Sequence, residues 1–371
     1  MVRLGDVFER QITGEWGSEC LETETGTNIL RTTNFTSDGV INYNNVVVRS
    51  IEKSKVESKR LHYGDIILEK SGGTDKTPVG RVVFCDPYIE TGTYLCNNFT
   101  QAMRVNPSMA VPKYVFYFMW NLHWSGKTEL MQNKTTGIRN LQVKSYLNMN
   151  CPLPSLDEQR HIAAVLDKVS DLIAKRKQQL DKLDEMVKAK FVEMFGDPIL
   201  NNKGFPTICG KDYFKLSNGK AVPEDKRLAS GIPAYGGNGI SWYTDKSLCS
   251  IDTLVVGRVG FQSGNVHLAK GPLWITDNAM YISDFYTKNY NLTFLCALME
   301  HIDFTKYQDA GDLKKITQKP FMKMMFIDPP REIQKQYSDF VGQIDKSKLT
   351  IQRSCDKLEV LKKALMQQYF G

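Results

Sequence analysis

Between residues 155 and 195 apolar side chains recur in alternating steps of four and three. The stripe runs Ile162, Leu166, Val169, Ile173, then Arg176 in an apolar slot, then Leu180, Leu183 and Val187. The same spacing returns at Tyr337, Val341, Ile344, Lys348, Ile351, Cys355, Leu358 and Lys362. Steps averaging 3.5 keep one face of a helix turned toward a partner. The pattern therefore predicts two long helices of roughly 39 residues, ~58 Å each at 1.5 Å per residue. They are copies of one another. Pro154, Gln159, Arg160, Ile162, Val165, Val169, Leu183, Phe195 and Gly196 return 175 residues later as Pro329, Gln334, Lys335, Tyr337, Phe340, Ile344, Leu358, Phe370 and Gly371. The first copy opens at Ser155-Leu156-Asp157-Glu158, a capping box; the second follows Asp328-Pro329-Pro330, with Asp328 placed to cap. Gly196 and Gly371 sit where a helix stops.

Matched length and register favour pairing of the two helices over each lying alone on its own domain. A globular segment long enough to carry the chain back precedes each helix, so the pairing is expected to be antiparallel, with a pseudo-twofold axis near Arg176 and Lys348. The divisions read from the sequence are 1–150, 151–196, 197–325 and 326–371. Segments 1–150 and 197–325 share a faint order: a short Asp-aromatic start, a strand led by aspartate (Asp65-Ile66-Ile67-Leu68; Asp252-Thr253-Leu254-Val255-Val256), a glycine-rich polar loop, then an apolar helical run at 114–122 or 292–302. Short β runs followed by a helix predict an α+β chain: two α/β modules joined by an antiparallel coiled coil in a pseudo-twofold internal repeat.

Composition narrows the class. A chain of 371 residues with 42% hydrophobic and 11% aromatic residues suits several soluble domains. The start, Met1-Val2-Arg3-Leu4-Gly5-Asp6, lacks a signal-like apolar stretch, and no run reaches the length of a membrane span, so a cytoplasmic chain without membrane contact is expected. Eight scattered cysteines form no CxxC pair. A net charge of +7 favours polyanions only weakly.

The segment Pro152-Leu153-Pro154-Ser155-Leu156-Asp157-Glu158-Gln159-Arg160-His161-Ile162-Ala163, its close at Phe195-Gly196-Asp197-Pro198 and the repeat 175 residues on resemble the specificity subunit of type I restriction–modification systems. The resemblance covers nearly the whole chain. It implies that 1–150 and 197–325 are target recognition domains, each reading half of a split sequence on double-stranded DNA. It also implies that the helices set the spacing and dock DNA methyltransferase subunits, expected to be two, with a restriction subunit left open. No cofactor is expected on this chain; S-adenosylmethionine belongs to the methyltransferase partner. The second helix departs from the pattern, with Pro330-Arg331-Glu332-Ile333 where the first has Ser155-Leu156-Asp157-Glu158.

Two modules at fixed spacing are also, on physical grounds alone, how a protein reads two half-sites. Base edges are read by paired donors and acceptors, Arg or Lys on guanine and Asn or Gln on adenine. In the first module such groups sit at Lys70, Ser71, Thr74, Lys76, Arg81, Asn97, Asn98 and Gln101. In the second they sit at Tyr235, Asn238, Arg258, Gln262, Asn265 and Asn278. About a third are expected to touch DNA, mostly phosphate, since Gly237-Asn238-Gly239 is equally a plain turn.

No catalytic set is expected. Asp328-Pro329-Pro330-Arg331 approaches an amino-methyltransferase motif but has arginine where the aromatic ring belongs. Tyr235-Gly236-Gly237-Asn238-Gly239 lacks the spacing of a phosphate loop. Pro223-Glu224-Asp225-Lys226 is too short for a nuclease site, and the five histidines show no metal-ligand spacing. The rival readings are a stand-alone methyltransferase or nuclease, which would need a cofactor loop or catalytic carboxylates, and a coiled-coil adaptor for proteins alone.

Overall fold

A computed structural model describes residues 1–20, 26–74, 76–135, 137–311 and 314–371. The chain divides into two compact units. The first comprises Met1–Lys175 with Cys355–Gly371, the second Arg176–Ser354. Each long helix is continuous across that division: Leu156–Phe195 and Arg331–Phe370, 40 residues apiece.

In the first unit a four-stranded antiparallel sheet runs in the order Phe8–Thr13, Thr100–Val105, Ile66–Glu69, Val82–Phe84. A three-stranded sheet places Val47–Arg49 antiparallel and Tyr94–Cys96 parallel to Thr27–Leu30. The largely apolar helix Pro112–Trp124 is buried over most of its length because the sheet lies on one side and the long helices on the other. Its Tyr114 and Phe118 pack against Phe370 in tilted and edge-to-face contacts, at 5.2 and 5.9 Å between centroids. Ile162, Ala163 and Leu166 join the same core with Met366 and Phe370. Next along, Val169 and Ile173 meet Cys355.

The second unit repeats the order of the first unit's four- and three-stranded sheets described above; among the described residues the small sheet of Gln132–Thr135, Ile138–Leu141 and Ser71–Gly73 belongs to the first unit alone. Its four-stranded sheet runs Phe214–Asn218, Ala279–Phe285, Thr253–Gly257, Val266–Ala269. Its three-stranded sheet sets Gly239–Thr244 antiparallel and Trp274–Ile275 parallel to Ile232–Gly236. Helix Leu292–Glu300 takes the place of Pro112–Trp124. Phe191 and Phe195 close the core against Tyr337 and Phe294.

Within each unit the helices therefore run in opposite directions: residues 162–166 meet 366–370, and 191–195 meet 337. The repeated sequence has a repeated cause. Gln159 and Gln334 are both fully buried, and each amide donates to the carbonyl five residues back, Pro154 at 2.9 Å and Pro329 at 2.8 Å. A buried glutamine tied across the proline turn sets the angle at which the chain enters the helix. Ser155 caps as its sequence predicts, its Oγ accepting from the Glu158 amide. Asp328 does not: its carboxylate accepts from Asn289 Nδ2 at 2.7 Å, and the helix starts on the prolines alone. Gly196 takes φ +70°, the left-handed stop.

The expected seam is closed at some of its slots and half-open at others. Ile162, Leu166, Val169, Ile173, Tyr337, Ile344 and Cys355 are buried; Leu180, Leu183, Val341, Ile351 and Leu358 are half-buried. Arg176 bonds Gln179 on its own helix, whereas Lys348 reaches across to Asp184 at 2.6 Å. A long charged stem at an apolar slot covers the seam and delivers its charge to the rim.

Candidate nucleic-acid interface

The candidate readers of the first module fall into two groups. Lys76, Thr74 and Asn98 are exposed. Lys70 is half-exposed beside the turn, its amide donating to the Phe99 carbonyl. Ser71 is drawn into a short strand, Ser71–Gly73, which pairs with Ile138–Leu141, and its hydroxyl bonds Asn140. The other three carry structural loads. Arg81 grips Glu69 through two bonds of 2.8 Å, and the Glu69 side chain is only 5% exposed. Asn97 is interior, its side-chain oxygen accepting from Thr100 Oγ1. Gln101 is buried on its strand and bonds Gln11. In each case a polar group in a turn-rich stretch faces inward because a neighbouring strand needs its hydrogen bond.

The second module concentrates its candidates. Asn238, Gln262 and Asn278 line one open cleft of about 710 Å³. Arg258, on the strand end beside it, is half-exposed; its Nη1 donates to the Asp277 carbonyl at 3.2 Å and its amide to the Asn278 carbonyl at 2.9 Å. Asn265 is exposed and bonds the Gln262 side chain. Tyr235 packs partly into the small core around Val255 and Ile275, and burial raises its hydroxyl pKa above the ordinary tyrosine value.

The two clusters occupy equivalent places. Lys70 and Arg258 each follow the strand led by aspartate, and each amide donates to the turn that opens the next sheet strand, at Phe99 or Asn278. The leading aspartates have diverged. Asp65 is buried and held by Arg104 through two bonds of 2.8 Å, whereas Asp252 is exposed and accepts from the Gly271 amide.

Sequence reasoning passed over Arg227, Trp242 and Phe261, which also line the cleft. The Arg227 guanidinium lies 5.5 Å from the Trp242 ring centroid. The first module holds a like pair with the partners exchanged, Arg49 lying 4.5 Å from Trp16. In both modules a residue of the loop after the first sheet strand stacks on the strand antiparallel to the second. A bulky ring inside Gly260-Phe261-Gln262-Ser263-Gly264 was the available signal, since nothing in a polar glycine loop calls for one.

Among the described residues no group of His, Cys, Asp and Glu could hold a metal ion, and no helix is long and apolar enough to cross a membrane. The fold and clusters define a class: a chain of two like α/β modules on paired long helices, each module presenting basic and amide side chains from turns.

Comparison with known proteins agrees. The family model for the type I restriction modification DNA specificity domain matches residues 1–185. The chain assigned as the MjaX specificity subunit of a type I restriction enzyme in Methanocaldococcus jannaschii is 20% identical over 351 residues, 86% of this chain and 80% of that one. The EcoprrI type I restriction enzyme specificity subunit of Escherichia coli is 28% identical over 185 residues, 46% of each chain. The crystal structure of the type I restriction–modification S subunit from M. genitalium shares the fold at TM-score 0.63 and 15% identity, covering 100% of this chain and 95% of that one. The chain belongs to the family of type I restriction–modification DNA specificity subunits.

Proposed function

We propose that this chain is the non-catalytic reader of a split DNA sequence, with each module responsible for one half-site. The observation that carries the reading is the repeat of the two main sheets in one topology, with Lys70 and Arg258 at the same place in each copy. Two copies of one reader on a fixed spacer suit a bipartite duplex, since half-site spacing follows the protein's own repeat. Different side chains in the equivalent turns would give the two half-sites different sequences.

Methylation, and any cleavage, belong in this reading to other subunits. Two methyltransferase subunits would bind the chain, bringing S-adenosylmethionine with them, and a restriction subunit would join where cleavage occurs. The chain would work in the cytoplasm, where the DNA is. The half-buried middle of the helix pair, around Leu180, Leu183 and Ile351, leaves apolar surface for a partner helix.

The test is module exchange. Residues 1–150 are replaced by the corresponding module of a relative, and the methylated motif is read by sequencing a host genome that also carries the methyltransferase. One half of the motif should change and the other stay. A change in both halves, or in neither with the complex intact, would refute independent reading.

A further inference from the structure

Phe261 is 90% exposed, the most exposed aromatic among the described residues. Its loop is held firmly. Gly260 and Gly264 take φ of +90° and +100°, a tight reversal that glycine permits. The Gly260 amide donates to Lys314, that of Gly264 to Gly257 and that of Ile316 to Arg258, at 2.8, 2.8 and 2.9 Å, while Gln308 Nε2 donates to the Ser263 carbonyl at 2.8 Å. A loop so pinned cannot fold the ring back onto its own module, so its apolar surface stays in water.

Beside the ring lies the cleft lined by Asn238, Trp242, Gln262 and Asn278. Thr276 belongs to the same lining; it is 5% exposed, and its Oγ1 has no hydrogen-bond partner. A buried hydroxyl without a partner costs free energy unless a ligand or water supplies one. A fixed apolar ring next to a roomy cleft that sets amide and hydroxyl groups among apolar walls suits the separation of stacked bases: the ring enters the step, and the unstacked base finds both an apolar wall and hydrogen-bond partners in the cleft.

We infer that Phe261 is a wedge that enters the duplex at the half-site read by the second module, and that the cleft beside it receives the base it unstacks. This rests on the proposed DNA-reading function. The equivalent loop of the first module carries no such ring: after its aspartate-led strand the chain runs Lys70-Ser71-Gly72-Gly73, with Ser71–Gly73 tied into a strand, and the ring nearest by, Phe99, is only 45% exposed. Unstacking by this chain's own ring should therefore occur in the second half-site only.

The experiment uses the full chain assembled with its methyltransferase and duplexes carrying the methylated motif. A fluorescent base analogue, 2-aminopurine for purines or pyrrolocytosine for pyrimidines, is placed in turn at every position of both half-sites. With the unaltered chain, besides the base that a methyltransferase subunit itself takes out of the stack in each half-site, emission should rise severalfold at one further step of the second half-site and at no further step of the first. Phe261→Ala should abolish that rise and weaken binding about tenfold, a stacking contact being lost, with the melting temperature unchanged because the ring packs on nothing. Thr276→Val should leave the wedge but lower emission at the displaced base. If no position beyond the methyltransferase's own target bases brightens while selective binding persists, or if Phe261→Ala binds and brightens as before, the wedge is overturned and the reading function stands. Loss of sequence-selective duplex binding by the unaltered complex would overturn both.

Discussion

Replacing Arg81 separates a buttress from a base reader. The Glu69 side chain is 5% exposed, and its two oxygens accept hydrogen bonds from Arg81 Nε and Nη2, at 2.8 Å each. Arg81→Met keeps most of the aliphatic stem and deletes the charge, leaving a carboxylate inside the four-stranded sheet of the first unit. Removing one partner of a buried pair costs about 3–5 kcal/mol. The Arg81 side chain is 35% exposed, so water can reach part of the vacated site, and screening brings the expectation down to about 2–3 kcal/mol. For a unit of this size that lowers the first thermal transition by roughly 5–10 °C. Differential scanning calorimetry reads it directly. The double variant Arg81→Met/Glu69→Leu, with neither charge buried, should recover to within about 1–2 kcal/mol of the parent. If Arg81→Met melts like the parent and instead loses selectivity at one base pair, Arg81 reads DNA and the buttress argument fails.

Four further expectations can be checked alongside it. Arg258→Ala should leave melting unchanged and weaken duplex binding by ~1–3 kcal/mol if the group pairs with guanine; a uniform loss across sequences with a flatter salt dependence marks a phosphate contact instead. Leu166→Ala, at a fully buried position, should cost ~2–5 kcal/mol, whereas half-buried Leu180→Ala should cost about 1 kcal/mol, both by urea unfolding. Burial holds the His123 imidazole below its ordinary pKa of 6.5; the unfolded chain takes up that proton first, so the first unit should lose stability as pH falls from about 7 toward 5, and His123→Gln should flatten that slope in pH-dependent melts. Deleting one heptad from each long helix should preserve the seam and shorten the methylated motif's spacer by roughly three base pairs, at ~10 Å per heptad; an unchanged spacer in a folded variant refutes the helix as ruler.

The helices were legible because a period of 3.5 is written directly in the residues, and the duplication marked both copies. Their middle was less legible: Leu180 and Ile162 occupy the same kind of slot, yet only the second is roofed by a module. The modules' sheets were hardly visible. The parallel pairing of Asn28 with Tyr94 joins residues far apart in sequence, and no local pattern announces it. The site suffered for the same reason. Asn97 and Asn98 are adjacent and identical, but one faces Thr100 inside and the other faces solvent. Arg81 looks like a reader until Glu69 is found opposite. Phe261 carries no hydrogen-bonding group, so a pattern of donors and acceptors along the chain does not mark it.

Phe370 closes the aromatic core of the first unit against Tyr114 and Phe118. During synthesis on a ribosome, residues 1–150 emerge long before that ring exists, so the first module to be made is the last to be finished. The second unit needs only Arg176–Ser354 and can close first. Until then the nascent first module shows the surface that Met366 and Phe370 will cover. A contact spanning some 250 residues is slow to form, and in that interval the half-built core is exposed to aggregation. Substitutions near the far end of the second long helix should therefore lower the yield of folded chain through a module encoded hundreds of residues upstream.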